Sequence, residues 1–243
     1  MLAVRAAGRE ATRRFRSPVG ARDKRSASDP VSDADIAAQE AMAKVIAEER
    51  PDDGLLGEEA LAAQGDRTWL LDPIDGTLAF LAGQPLWSCA ACLREGERTA
   101  VAAVFDPVAG ELFCARGDGP ATLNGERIAI RETAALRAAM VRTWCDPHVA
   151  ADPAYLPALG RLARSTAALQ AGGSGSQALA WVACGRLDGW VELYPPGAAK
   201  EWDWRPGELL VLRAGGYART AGAWRVAASN EALGRELERL VTG

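Results

Sequence analysis

The stretch Trp69 to Phe80, "WLLDPIDGTLAF", constrains the fold of this chain more than any other. It opens as an apolar run of strand length and stops at two aspartates three residues apart, followed by Gly-Thr. Carboxylates are seldom buried without a partner, so a buried strand that ends in them either makes a turn or holds something. Pro73 and Ile74 between the acids predict a stiff turn that keeps Asp72 and Asp75 close together. Two further acidic clusters sit at the ends of predicted elements: Glu58 and Glu59 after Gly57, and Asp203 at a helix start in "EWDWRPGELL". Hard divalent cations such as magnesium take oxygen ligands, usually a few carboxylates. A helix starting at Gly76 and Thr77 turns free backbone N–H groups outward beside those acids, where a phosphate binds well. Any one of these residues alone reads as a helix cap or a solvated acid. Together they supply the parts of metal-assisted phosphoryl transfer.

The flanking sequence predicts sheets covered by helices. Residues 1–16 read as a helix, and "SDADIAAQEAMAKVIAEER" opens with Ser32 and Asp35 in a capping-box pattern before helically spaced Ile36, Met42, Val45 and Ile46. "PDDGLLGEEALAAQGD" reads as turns. After the opening motif, "LWSCAACLR", "RTAVAAVFDP" and "GELFCAR" predict an antiparallel meander. From about residue 135 strands and helices alternate, ending in the helix "NEALGRELERLV". The expected organisation is one compact unit of two parts, 1–134 and 135–243, that share one interface.

Composition narrows the partners. A net charge of -4 offers no basic field for a nucleic-acid polymer or an anionic membrane. Neither a signal-peptide core nor a membrane-spanning run is apparent, so a cytoplasmic location is expected. Five scattered cysteines form no disulfide framework. Cys89 and Cys92 make a CxxC on a predicted strand, where residues three apart face opposite ways, which argues against joint metal binding or redox work. The single histidine, His148, reads as a loop residue and argues against Ser-His-Asp and His-rich zinc chemistry.

The strings "GEE" (57–59), "WLLDPIDGT" (69–77), "DPVAGELFCA…LNG" (106–125) and "WDWRPGELLVLRAGG" (202–216) resemble, in this order, the inositol monophosphatase family of magnesium-dependent sugar phosphatases. The resemblance implies an α/β (α+β) fold, a layered α-β-α-β-α sandwich. It implies two to three magnesium ions: Glu58, Asp72 and the Ile74 carbonyl on the first, Asp72, Asp75 and Asp203 on the second, and Glu58 on a third. Gly76 and Thr77 are expected to bind phosphate, and Thr77 with Asp35 to orient the attacking water. Lys24 matches a lysine on the family's mobile metal loop. Gly173, Ser174, Gly175 and Glu192, with Asp75, are expected to meet the substrate, while Asp188 reads as structural.

The implied activity is hydrolysis of a small phosphorylated polyol or metabolite by in-line attack of a metal-activated water. An inositol phosphate, histidinol phosphate, fructose 1,6-bisphosphate or a 3'(2'),5'-bisphosphate nucleotide would each suit the class, and a homodimer is common among relatives. Three departures stand out: Ala79 replaces the usual Asn, Arg205 and Pro206 follow Trp-Asp, and the stretch between Glu192 and Asp203 is long. Pro206 is expected in the first turn of its helix, where no donor is required. Two other readings are a haloacid dehalogenase-type phosphatase with an Asp nucleophile, whose acids are spaced by two rather than three, and a non-catalytic relative that only binds a phosphorylated ligand or partner.

Overall fold

The computed structural model describes residues 1–243 apart from 25, 26, 28, 60, 61, 64, 134 and 194–199, and for 63 and 221 only the backbone. The long stretch between Glu192 and Asp203 therefore lies largely outside the described residues. The predicted strand runs from Arg67 to Asp75 near one edge of an eight-stranded sheet. It pairs antiparallel with Ser88–Glu95, and the meander continues through Arg98–Asp106 and Glu111–Arg116 as expected. On its other side it pairs in parallel with Gly54–Gly57, a strand in the segment that reads as turns. Two leucines between two glycines carry too little pattern to announce a strand.

Alternation along these strands sorts the core into layers. Leu71, Cys89, Ala91, Ala103 and Phe105 pack against helices Leu2–Arg14 and Asp33–Glu49. Leu70, Ala90, Cys92, Ala102 and Val104 face the other way, onto helices Gly175–Ala183 and Glu201–Arg213. Cys89 and Cys92 thus lie in different cores, as their spacing requires. The same two helices cover one face of a five-stranded sheet, whose far face packs on Tyr155–Ser165 and Glu231–Thr242. The order of layers is the α-β-α-β-α sandwich. The middle layer is tight: a Cβ on Gly207 would come within 2.4 Å of the Leu179 side chain.

Local signals explain most boundaries. Ser32 caps helix Asp33–Glu49, its N–H donating to Asp35 Oδ2 at 2.8 Å in return. Asp188 accepts from Arg131, Thr133 and the Met140 N–H, a structural role as expected. Pro206 corrects its expectation: helix Glu201–Arg213 begins early enough to put it sixth, inside the helix. There its missing N–H removes the bond that the Trp202 carbonyl would accept. Among the described residues no helix is long and apolar enough to cross a membrane.

Candidate functional site

Residues three apart on a regular strand point to opposite faces, yet Asp72 and Asp75 line one pocket. The reason is a bulge. Asp72 lies opposite Ala90 and Asp75 opposite Ser88, so three steps on one strand match two on its neighbour and the extra residue restores the parity. Pro73 sits inside this bulge rather than in a turn, where its lack of a donor is tolerated. Glu58 arrives from the parallel neighbour, one residue past Gly57, with its N–H donating to the Leu71 carbonyl at 3.1 Å. Gln39 fixes the next residue from both sides: its Nε2 donates to the Glu59 carbonyl and its Oε1 accepts from the Glu59 N–H, each at 2.8 Å. Asp203 enters from the middle layer, in the first turn of its helix.

These carboxylates are short of positive charge. Asp72 is 1% exposed and its Oδ1 makes no hydrogen bond. Burial first, then the neighbouring Glu58, Asp75 and Asp203, push its carboxyl well above the usual range. Asp75 is also raised by burial, against the opposing bonds from Ser174 Oγ at 2.7 Å and the Ser176 N–H at 2.6 Å. Burial works against the charge on Glu58 too, but the ammonium groups of Lys200 and Lys24 outweigh it and hold that carboxyl below its ordinary value. Lys200 Nζ donates to Glu58 Oε1, and Lys24 Nζ bonds to Glu59 and lies 3.1 Å from the same Glu58 oxygen. Among the described residues no three His, Cys, Asp or Glu side chains converge as a ready ligand set. Lysines and serines engage oxygens of Glu58 and Asp75 instead. The all-oxygen donor set and the orphaned Asp72 oxygen fit a hard divalent cation such as magnesium.

Beyond the acids, the backbone turns sharply. Gly76 has φ 92°, and a Cβ there would meet the Leu86 carbonyl at 2.8 Å, so only glycine suits the position. Thr77 Oγ1 lies 3.1 Å from both Asp35 Oδ1 and the Ile74 carbonyl, and with one proton it donates to one of them at a time. Glu58, Asp72, Ile74, Asp75, Gly76, Thr77, Gly173, Gly175, Glu192 and Asp203 all line the pocket. Asp35 and Ser174 are fully buried behind it, and among the described residues Lys24 reaches it through Glu58 and Glu59. Ser174 caps helix Gly175–Ala183 while its hydroxyl holds Asp75, so it acts on the site through a neighbour.

Glu192, which also lines the pocket, accepts from Arg225 Nη1 and Trp190 Nε1, each at 3.1 Å. Burial, against the pull of Arg225, raises its carboxyl to about 6. Sequence reasoning missed Lys200, Trp144, Asp146 and Trp190 as pocket residues. His148, read as a loop residue, lies in the one-turn helix Pro147–Ala150 and also lines the pocket. Asp146 both caps that turn and accepts from Trp144 Nε1 at 3.0 Å. The available hint for Lys200 was its rarity, since only three of the 28 Lys and Arg residues are lysine. Of the departures, Ala79 is buried, and Arg205 bonds Glu201 at 2.7 Å outside the pocket.

Known proteins resemble this chain in sequence and fold. A family model described as the inositol monophosphatase family matches residues 1–239. The chain is 34% identical over 197 residues to the Nus factor SuhB of Pasteurella multocida, covering 79% of this chain and 72% of that protein. It is 32% identical over 226 residues to the inositol-1-monophosphatase of Rhizobium meliloti, covering 88% and 83%. The crystal structure of the extragenic suppressor protein SuhB from Bartonella henselae superposes with a TM-score of 0.92 at 27% identity, over 99% of this chain and 95% of that one. A match along nearly the whole sequence, with the same layered fold, shows that the chain belongs to the inositol monophosphatase family.

Proposed function

We propose that the chain is a magnesium-dependent phosphomonoesterase acting on a small phosphorylated polyol or similar metabolite. The observation that carries this reading is Asp72, buried among Glu58, Asp75 and Asp203 with one oxygen left without a hydrogen bond. Four clustered carboxylates outnumber the two ammonium groups beside Glu58, and that excess of negative charge suits a divalent cation. In this reading Glu58, Asp72 and the Ile74 carbonyl hold one ion, and Asp72, Asp75 and Asp203 hold a second, with Glu58 shared toward a third. When bound, magnesium supplies a more acidic water and neutralises charge on the phosphoryl and leaving oxygens.

The chain's own groups do the positioning. Asp35 fixes the Thr77 hydroxyl, whose lone pairs then orient the attacking water. The backbone N–H groups at Gly76 and Thr77 receive phosphate oxygens at the tight approach that Gly76 permits. Ser174 and the Ser176 N–H lock the Asp75 carboxylate in one orientation. Glu192, close to Gly175 in the same pocket, accepts from substrate hydroxyls.

The test is phosphate release by the purified protein with magnesium from a panel of polyol, sugar, amino-alcohol and nucleotide phosphates. Release from one class and loss with chelator are expected, without a phosphoaspartate at Asp72. Asp75→Asn should lower kcat roughly a hundredfold or more, the upper end of what a supporting group is worth to a metal site, with the fold retained. Near-normal turnover by that variant at saturating magnesium contradicts the two-ion assignment. The name Nus factor, carried by several relatives, favours one second reading, a relative that binds a phosphorylated ligand or partner without turnover. A protein that releases no phosphate from any of the panel fits that reading instead.

A further inference from the structure

Two of the chain's three lysines converge on one carboxylate oxygen, Glu58 Oε1. Lys24 also has Glu59 as a partner. Lys200 is held differently. It is the residue that precedes helix Glu201–Arg213, its carbonyl accepts from Arg225 Nη1 at 3.4 Å, and its ammonium stands 5.8 Å from the centre of the Trp202 ring. Its side chain lines the pocket and is attracted by Asp203 and Asp29 as well as by Glu58. The ammonium therefore lies on an oxygen of the carboxylate cluster, at the end of a largely enclosed arm.

Chemistry makes this placement consequential. A lysine ammonium is a compact point charge that sits on a single oxygen much as a metal ion does, whereas arginine presents a planar fork. In a chain whose cations are otherwise nearly all arginine, lysine stands where a small cation fits. An ammonium and a divalent ion on the same carboxylate oxygen compete for its lone pairs and repel each other at short range.

We propose that Lys200 is a built-in counter-cation for Glu58 that divalent metal must displace, so that metal loading at this carboxylate is a competition with a tethered ammonium. The proposal rests on the magnesium reading of the same acids. It implies that Lys200 stabilises the metal-free protein and weakens metal binding, in opposite directions from one contact. By contrast, a lysine that assists metal binding would lower affinity when removed.

The measurement is calorimetric titration of magnesium into the full-length wild type, Lys200→Met and Lys44→Met, the last removing the same charge from an exposed position on helix Asp33–Glu49. Lys200→Met should bind magnesium about tenfold more tightly, within the usual range of coupling between two sites, and Lys44→Met should match the wild type. In chelator Lys200→Met should melt below the wild type, and saturating magnesium should close that gap. Lys200→Arg, which keeps the charge, should bind no more tightly than the wild type and preserves the test if the Met variant fails to fold. Wild-type magnesium binding with unchanged or weaker affinity in Lys200→Met, or tighter binding by Lys200→Arg, overturns the counter-cation assignment alone. A wild type that binds no magnesium overturns the metal reading of the acids and this proposal with it.

Discussion

Glu192 shows what a single buried acid imposes on the molecule. Burial raises its carboxyl from 4.5 to about 6, while Arg225 and Trp190 pull the other way and Asp75 adds to the rise. Because the folded state holds the proton more tightly than the unfolded chain, Glu192 contributes stability that is fully present below about 4.5 and lost as pH climbs through about 6. A shift of this size corresponds to about 2 kcal/mol between pH 4 and 7. Stabilities from denaturant titrations at a series of pH values should therefore fall more steeply with pH in the wild type than in Glu192→Gln: the difference between them should change by about that amount across the range, whatever its constant offset from removing the carboxylate beside Arg225. Parallel curves would show that Glu192 ionises normally. At this scale the sequence named the acids but not their geometry. Two aspartates three apart are legible as a string, whereas the bulge that brings both to one pocket depends on how Ser88–Glu95 pairs across from them. Lys200 was illegible for a related reason, since nothing local joins it to Glu58, 142 residues away.

Elements carry the site as rigid mounts, and helix Asp33–Glu49 is the one whose role can be isolated. From its first two turns it sends Asp35 to Thr77 and Gln39 to the backbone on both sides of Glu59. Gln39→Ala removes two hydrogen bonds at once and leaves the Glu59 N–H and carbonyl without these partners, which should cost about 1–3 kcal/mol. Freed from the clamp, Glu58 should also hold magnesium about 10–100-fold more weakly, as supporting residues of metal sites generally do. Calorimetry and chemical denaturation read the two effects separately, and unchanged magnesium affinity would remove Gln39 from the site's support. The capping box, the meander and the alternation after residue 135 were readable because each carries a local period or cap. Strands Gly54–Gly57, Ala168–Ala171 and Tyr217–Ala221 were not read, being short and decided by tertiary pairing. Pro206 marks the same limit: the start of its helix is set by packing, not by the proline.

At the scale of the whole molecule, the carboxylates come from both parts of the chain, Glu58, Asp72 and Asp75 from the first and Asp203 from the second. Helices Gly175–Ala183 and Glu201–Arg213 pack on both sheets, so neither sheet can lose its partner layer without exposing apolar surface on the other. One cooperative transition is therefore expected, and a ligand that draws on both parts should move it as a unit. Magnesium at 100 times its dissociation constant adds about 2.7 kcal/mol to a folded state that alone binds it. For a chain of this length that corresponds to a rise in Tm of roughly 5–11 °C. Asp203→Asn should lose most of the rise while its Tm in chelator stays near or above that of the wild type, because one of several crowded negative charges has gone. Scanning calorimetry with and without magnesium decides the matter. A rise of equal size in Asp203→Asn would place the ion in the first part alone, and two separate transitions would show that the layers do not unfold together.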